Sequence, residues 1–191
     1  MNRILLLDNY DSFTYNLLHY VEELCSIDVD VARNDKISLE DVDGYDGIIL
    51  SPGPGLPSEA GLLIPIIERY KETKRILGVC LGLQAIGEVF GGQLENLNKV
   101  YHGISTPINI KTPRHYLFNE LPDKIEVGRY HSWVISPKGF PSCLNVNAID
   151  CEGQIMALSH KALDICAVQF HPESILTPFG KQIISNWLNP L

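Results

Sequence analysis

The chain has 191 residues, 45% hydrophobic and 20% charged, the balance of one water-soluble globular domain with a sizeable core. Its 23 acidic and 15 basic side chains leave a net charge of −8, with no Lys/Arg cluster, which excludes a nucleic-acid surface and an anionic-membrane surface. No apolar run is long enough to span a bilayer, Asp8 ends the first one too early for a secretory leader, and the five cysteines form no C-x-x-C pair, so a reduced, cytoplasmic setting is expected.

Residues 4–7, Ile-Leu-Leu-Leu, read as a buried strand, and the polar stretch 8–12 as a loop. Asp11 or Ser12 is placed to cap a helix carrying Tyr15, Leu18, Val21, Glu22 and Cys25. Val29 and Val31 alternate with polar residues in a half-buried strand over 28–33, and 47–50 is a fully apolar strand. A helix follows over 62–70 despite Pro65, then a strand at 76–79 and a helix over 81–90 stopped by Gly91 and Gly92. This alternation is the signature of an α/β fold, an open, mostly parallel twisted sheet flanked by helices. The later segments at 93–97, 106–110, 125–129, 144–148, 155–159 and 165–170 read as strands, of a mixed sheet or of a smaller antiparallel addition. A closing helix over 179–188 puts Ile183, Ile184, Trp187 and Leu188 on one side. No linker or repeat divides residues 1–191, so one domain is expected.

Three stretches carry chemistry. Gly78-Val79-Cys80-Leu81-Gly82 has the spacing of a nucleophile elbow, with Cys80 between a strand and a helix N-terminus that favours a thiolate. Ser51-Pro52-Gly53-Pro54-Gly55-Leu56-Pro57 follows another strand end, where parallel-sheet sites form, and its glycines let backbone N–H groups approach an oxyanion or carboxylate. It lacks the phosphate-loop pattern. In Val168-Gln169-Phe170-His171-Pro172-Glu173, extended backbone around Pro172 puts His171 and Glu173 on one side, a base with a carboxylate to orient it. His131, in Tyr130-His131-Ser132-Trp133, competes for the role of base but has no carboxylate two residues on. Tyr130 and Trp133 are candidate pocket walls, and His102 reads as a loop histidine. The six histidines show no paired metal-ligand spacing, so no metal site is expected.

Together, Gly-Val-Cys-Leu-Gly-x-Gln at 78–84, Pro-Gly-Pro-Gly-x-Pro at 52–57 and Phe-His-Pro-Glu-Ser at 170–174 resemble the class I, or triad-type, glutamine amidotransferases over essentially the whole chain. The stretches at 8–17 and 173–177 further resemble the small subunits of anthranilate synthase and 4-amino-4-deoxychorismate synthase. The resemblance implies a flavodoxin-like fold and a triad of Cys80 as nucleophile, His171 as base and Glu173 as orienter. It implies an oxyanion hole from Gly55, or Gly53 in its place, with the N–H of Leu81. Glutamine contacts are implied from Gly53, Gly55, Gln84, Ser132 and Trp133. The implied partner is a chorismate-binding large subunit that takes up the ammonia to make anthranilate, 4-amino-4-deoxychorismate or both. No cofactor is implied in this chain; any metal requirement belongs to the large subunit. Three positions depart from the family pattern: Leu83 replaces a frequent His, Trp133 a usual Leu, and Ile104 stands in a frequent His-Gly-Lys. The alternative from another class is a stand-alone γ-glutamyl hydrolase with the same triad.

Overall fold

The computed structural model describes residues 1–189. In chain order the elements are β1 (Arg3–Asp8), α1 (Thr14–Leu24), β2 (Asp28–Arg33), β3 (Gly47–Leu50), α2 (Leu63–Tyr70), β4 (Arg75–Val79) and α3 (Leu81–Val89). Then come β5 (Leu94–Asn96), β6 (Ile104–Ile110), β7 (Lys124–Arg129), β8 (Trp133–Ile135), β9 (Leu144–Asp150), β10 (Ile155–His160), β11 (Ile165–Val168) and α4 (Gly180–Leu188). Nine strands form one sheet in the order β2-β1-β3-β4-β11-β10-β9-β6-β7. The first five run parallel, and β10, β9, β6 and β7 extend the sheet antiparallel. Short β5 pairs with β8 in a separate two-stranded ribbon. Among the described residues no helix is long and apolar enough to cross a membrane.

The apolar strands are covered on both faces, as a parallel sheet requires. Ile4 and Leu6 of β1 pack with Leu17 and Val21 of α1 and Ile183, Ile184 and Trp187 of α4. Leu5 and Leu7 point the other way, to Ile66 and Ile67 of α2 and Ile86 of α3. Pro65 falls in the first turn of α2, where the backbone N–H it lacks has no intrahelical partner in any case. Gly92 closes α3 by donating to the Gly87 carbonyl, 2.8 Å away.

Several expectations shift. Phe13, not Asp11 or Ser12, occupies the N-cap of α1, without a side-chain bond. The Asp11 carboxylate instead accepts the Phe13 N–H at 2.8 Å, and Asp8 reaches over to the Thr14 hydroxyl at 2.9 Å. The buried stripe of α1 is Thr14, Leu17 and Val21, leaving Tyr15 65% exposed; these three point at the sheet at i, i+3 and i+7. The strand expected over 165–170 ends at Val168, and the ribbon strand β8 was not expected, since three residues carry too little periodicity.

Helix α4 does more than cover the sheet. A Cβ at Gly180 would lie 1.7 Å from the Pro172 carbonyl oxygen, so the start of α4 presses directly on the segment between His171 and Glu173. Gly180→Ala must therefore push α4 or this segment aside, and Tm is expected to fall by roughly 5–10 °C in thermal unfolding. A drop below the error of the measurement would show that the contact yields freely.

His115 supplies a pH-dependent element. Its Nδ1 accepts the Leu117 N–H at 3.3 Å, and burial pushes its pKa down to about 4. The folded value lies below the unfolded one, so this contribution is complete above about pH 6.5 and is lost as pH falls toward 4. His115→Asn keeps an acceptor but cannot titrate; its Tm should fall less between pH 7.5 and 4.5 than that of the wild type. Equal losses would remove His115 from the acid response.

Candidate active site

The carboxyl ends of β1, β3, β4 and β11 lie side by side, as the pairing of Leu7 with Leu50, Leu50 with Gly78 and Val79 with Val168 requires. Everything that leaves this edge converges: residues 9–13 after β1, 51–57 after β3, Cys80 after β4 and 169–173 after β11.

Cys80 sits in the turn between β4 and α3 with φ +50° and ψ −97°, a strained backbone for a residue with a side chain. The flanking glycines make the turn possible. A Cβ at Gly78 would meet the Gly82 backbone at 2.7 Å, and one at Gly82 would meet the Leu50 carbonyl oxygen at 2.7 Å. The Cys80 N–H donates to the Val168 carbonyl at 2.8 Å, tying the turn to β11. Leu81 is the first residue of α3, so its N–H is free of the helix's own ladder.

His171 and Glu173 meet as the sequence pattern indicates, His171 Nδ1 to Glu173 Oε1 at 2.7 Å, with both residues buried. Among the described residues Nε2 has no hydrogen-bond partner; the Cys80 sulfur beside it stops short of a formed bond. Burial lowers the pKa of His171, but Cys80 and Glu173 outweigh it and hold the imidazole well above its ordinary value. The segment is clamped from behind. The His171 N–H donates to the Gly128 carbonyl at 3.0 Å, and the Thr177 hydroxyl, itself accepting the Gly128 N–H at 2.9 Å, donates to the His171 carbonyl at 2.6 Å.

The second candidate base is excluded by its bonds. His131 Nδ1 meets the Trp133 carbonyl at 3.0 Å, and Nε2 accepts from Arg129 Nε at 3.1 Å. Both nitrogens are occupied; burial, with the Arg129 charge adding to it, pushes the pKa down to about 3. Arg129 is itself buried, held by Asp150 at 2.7 Å and Gln154 at 2.6 Å. His131 is thus a neutral strut under residues 129–133.

Two cavities open beside the sulfur. One, of about 230 Å³, is lined by Gly53, Gly55, Cys80, Gln84, Ser132 and Trp133, so these residues singled out in sequence share one pocket with the nucleophile; Leu81 is not in the lining and adjoins it only as the residue after Cys80. The other, of about 370 Å³, reaches Cys80 from the His171 side and is lined also by Phe13, His102 and Tyr130. Phe13 and Tyr130 pack on the His171 ring at 5.5 and 4.8 Å between centroids. The 51–57 loop is pinned: Asn9 bonds Ser51 through its N–H and its side-chain amide, each at 2.9 Å. A Cβ at Gly53 would strike Asn9 and Leu81 at 2.7 and 2.8 Å, and Gly55 takes φ +73°. Sequence reasoning missed Thr177, Asn9 and Gly180, which act through backbone contacts that no local pattern announces. It also missed Gln169, fully buried with its amide Nε2 at 3.5 Å from Cys80 Sγ. Among the described residues no group of three or more His, Cys, Asp and Glu side chains is placed to hold a metal ion.

The chain is similar to known proteins over nearly its whole length. The chain is 44% identical to anthranilate synthase component 2 of Pseudomonas aeruginosa over 192 residues, covering 97% of this chain and 94% of that protein. It is 44% identical to aminodeoxychorismate synthase component 2 of Escherichia coli over 188 residues, 97% of this chain and 99% of that one. A solved structure assigned as a GMP synthase subunit of Thermoplasma acidophilum superposes with a TM-score of 0.87 at 28% identity, covering 98% of this chain and 92% of that chain. The family model for class-I glutamine amidotransferases matches residues 5–190, and the chain belongs to that family.

Proposed function

We propose that the whole chain acts as one ammonia-producing domain, the small subunit of a chorismate-aminating enzyme of the cytoplasm. The observation that carries the chemistry is the buried His171–Glu173 pair beside Cys80 at the mouth of a pocket lined by glycine backbone. The partner assignment is supported by relatives named component 2 that align over nearly their full length. The five free cysteines suit a reducing compartment.

The amide carbon of glutamine is a poor electrophile, so it calls for a strong nucleophile and a site for the developing charge. Cys80 Sγ, its proton taken by His171, attacks the side-chain carbonyl carbon. The oxyanion is met by the N–H groups of Leu81 and Gly55, or of Gly53. His171 then gives its proton to the departing nitrogen, releasing ammonia and leaving a γ-glutamyl thioester on Cys80. Water, deprotonated by His171, attacks the thioester; glutamate leaves and the thiol is restored. Glu173 keeps the proton on Nδ1, so that Nε2 faces the sulfur. Gln84, Ser132 and Trp133 hold the glutamine. No step draws on a cofactor in this chain; a metal requirement is assigned to the large subunit. Ammonia set free in bulk water would protonate and lose its nucleophilicity, so a partner that accepts it directly makes chemical sense.

Native extract supplied with glutamine and chorismate, from which this chain is captured, tests the reading. A large subunit co-purifying with formation of anthranilate, aminodeoxychorismate or both supports it. Steady glutamate release with no partner and no chorismate product overturns it in favour of the stand-alone γ-glutamyl hydrolase.

Cys80→Ser should lower glutamine-dependent product formation by at least about 10³-fold while ammonia-dependent formation by the assembled complex persists. Full glutamine activity in that variant would remove Cys80 from the mechanism. His171→Ala should slow glutamate release more than Glu173→Ala, because the orienter acts only through the ring it holds; the reverse ranking would exchange their roles.

A further inference from the structure

Gln169 lies outside the triad and outside the set of glutamine contacts, yet it touches the reacting sulfur. Its Nε2 is 3.5 Å from Cys80 Sγ and its Oε1 is 3.5 Å from Gln84 Nε2, which donates in turn to the Trp133 carbonyl at 3.0 Å. Gln169, Gln84 and Cys80 are all buried, at 0%, 3% and 5% exposure. The direction of this chain of bonds is fixed at one end. A carbonyl oxygen only accepts, so Gln84 must turn its NH2 toward Trp133. That same NH2 faces Gln169, which must answer with its oxygen. The NH2 of Gln169 is left pointing at the sulfur.

We infer that Gln169 is a further catalytic residue, whose side-chain amide donates a hydrogen bond to the Cys80 thiolate in an orientation set through Gln84 by the Trp133 carbonyl. The inference deepens the triad reading above and rests on it. His171 and Gln169 then serve the sulfur in different ways. The imidazolium gives up its proton during each turnover and leaves the sulfur without that charge, whereas the amide cannot titrate and stays a donor throughout. A donor to an anion in a dry site is stronger than one between neutral groups. The oxygen of Gln84 is not used in this relay and remains available to accept from the bound glutamine. The pocket wall at Trp133 and the nucleophile are thus linked through two side chains rather than merely adjacent.

The test is the pH dependence of iodoacetamide alkylation, measured on the full chain and resolved cysteine by cysteine by mass spectrometry. The near-isosteric Gln169→Met removes the donor and keeps the volume; Gln169→Glu opposes the thiolate with a carboxylate. The alkylation midpoint of Cys80 should rise by roughly 1 pH unit in Gln169→Met and at least as far in Gln169→Glu. Midpoints at the exposed Cys151 should stay put. In steady state kcat for glutamate release should fall roughly 10- to 100-fold with KM within about twofold. A packing role would change Tm and leave the Cys80 midpoint in place. Unchanged midpoints in both variants overturn the inference, and if Gln169→Met does not fold the Glu variant alone decides. A wild-type Cys80 that alkylates with the same midpoint as Cys151 would instead defeat the nucleophile reading itself, so the two failures are separable.

Discussion

The turn at Cys80 is the constraint on which the rest depends. A cysteine at φ +50° costs of order 1–3 kcal/mol, and it persists because the surroundings leave no alternative. Gly78 and Gly82 let α3 descend onto β4 and β3 with backbone against backbone, at distances where any side chain would collide with Gly82 or Leu50. The Cys80 N–H is bound to Val168, so the same turn fixes the neighbouring strand end. The sulfur is thereby placed on the parallel sheet's carboxyl edge between β3 and β11, next to the loop after β3 and the segment after β11.

Those neighbours are rigid for reasons of their own, and most of the rigidity comes through main-chain groups. Asn9 holds Ser51 by two bonds, and Gly53 is wedged between Asn9 and Leu81. His171 is fixed by Gly128 and Thr177, while Gly180 of α4 bears on Pro172 from the far side. The last helix in the chain and the antiparallel strand β7 therefore act on the same three residues, His171 to Glu173. The antiparallel extension is part of the site rather than an ornament on a parallel fold, because β7 supplies Gly128 and runs on into Tyr130 and His131.

What the sequence reveals and what it hides follow from the range of each interaction. The elbow glycines, the Pro-Gly loop and the His-x-Glu spacing are local patterns, and each lands where its chemistry needs it. The alternating strands and helices of the first half are equally legible, since β1, β3 and β4 are apolar on both faces, the edge strand β2 alternates, and the helices carry stripes. The register of α1 is not: Tyr15 and Leu17 are both apolar enough to be taken for the core face, and only the position of the sheet chooses Leu17. Thr177, Gly180 and Asn9 work through contacts 6 to 49 residues away in sequence or through absent side chains, so no local periodicity announces their partners. The short β8 is set by pairing with β5, across a gap that periodicity cannot bridge.

The two histidines show why residue type alone does not assign a role. His131 and His171 are both buried and both line a cavity that reaches Cys80. One has an arginine on Nε2 and a carbonyl on Nδ1; a proton added at Nε2 would face a fixed positive charge, so the ring stays neutral. The other has a carboxylate on Nδ1 and a sulfur beside Nε2, so a second proton is welcomed from both sides. The cation in the first case is retained by Asp150 and Gln154, which means that the buried Arg129 network serves to keep His131 out of acid–base chemistry while fixing the backbone of Ser132 and Trp133. Burial is common to both rings; the sign of the neighbouring charge separates a structural histidine from one able to carry a proton between a thiol and a leaving amine.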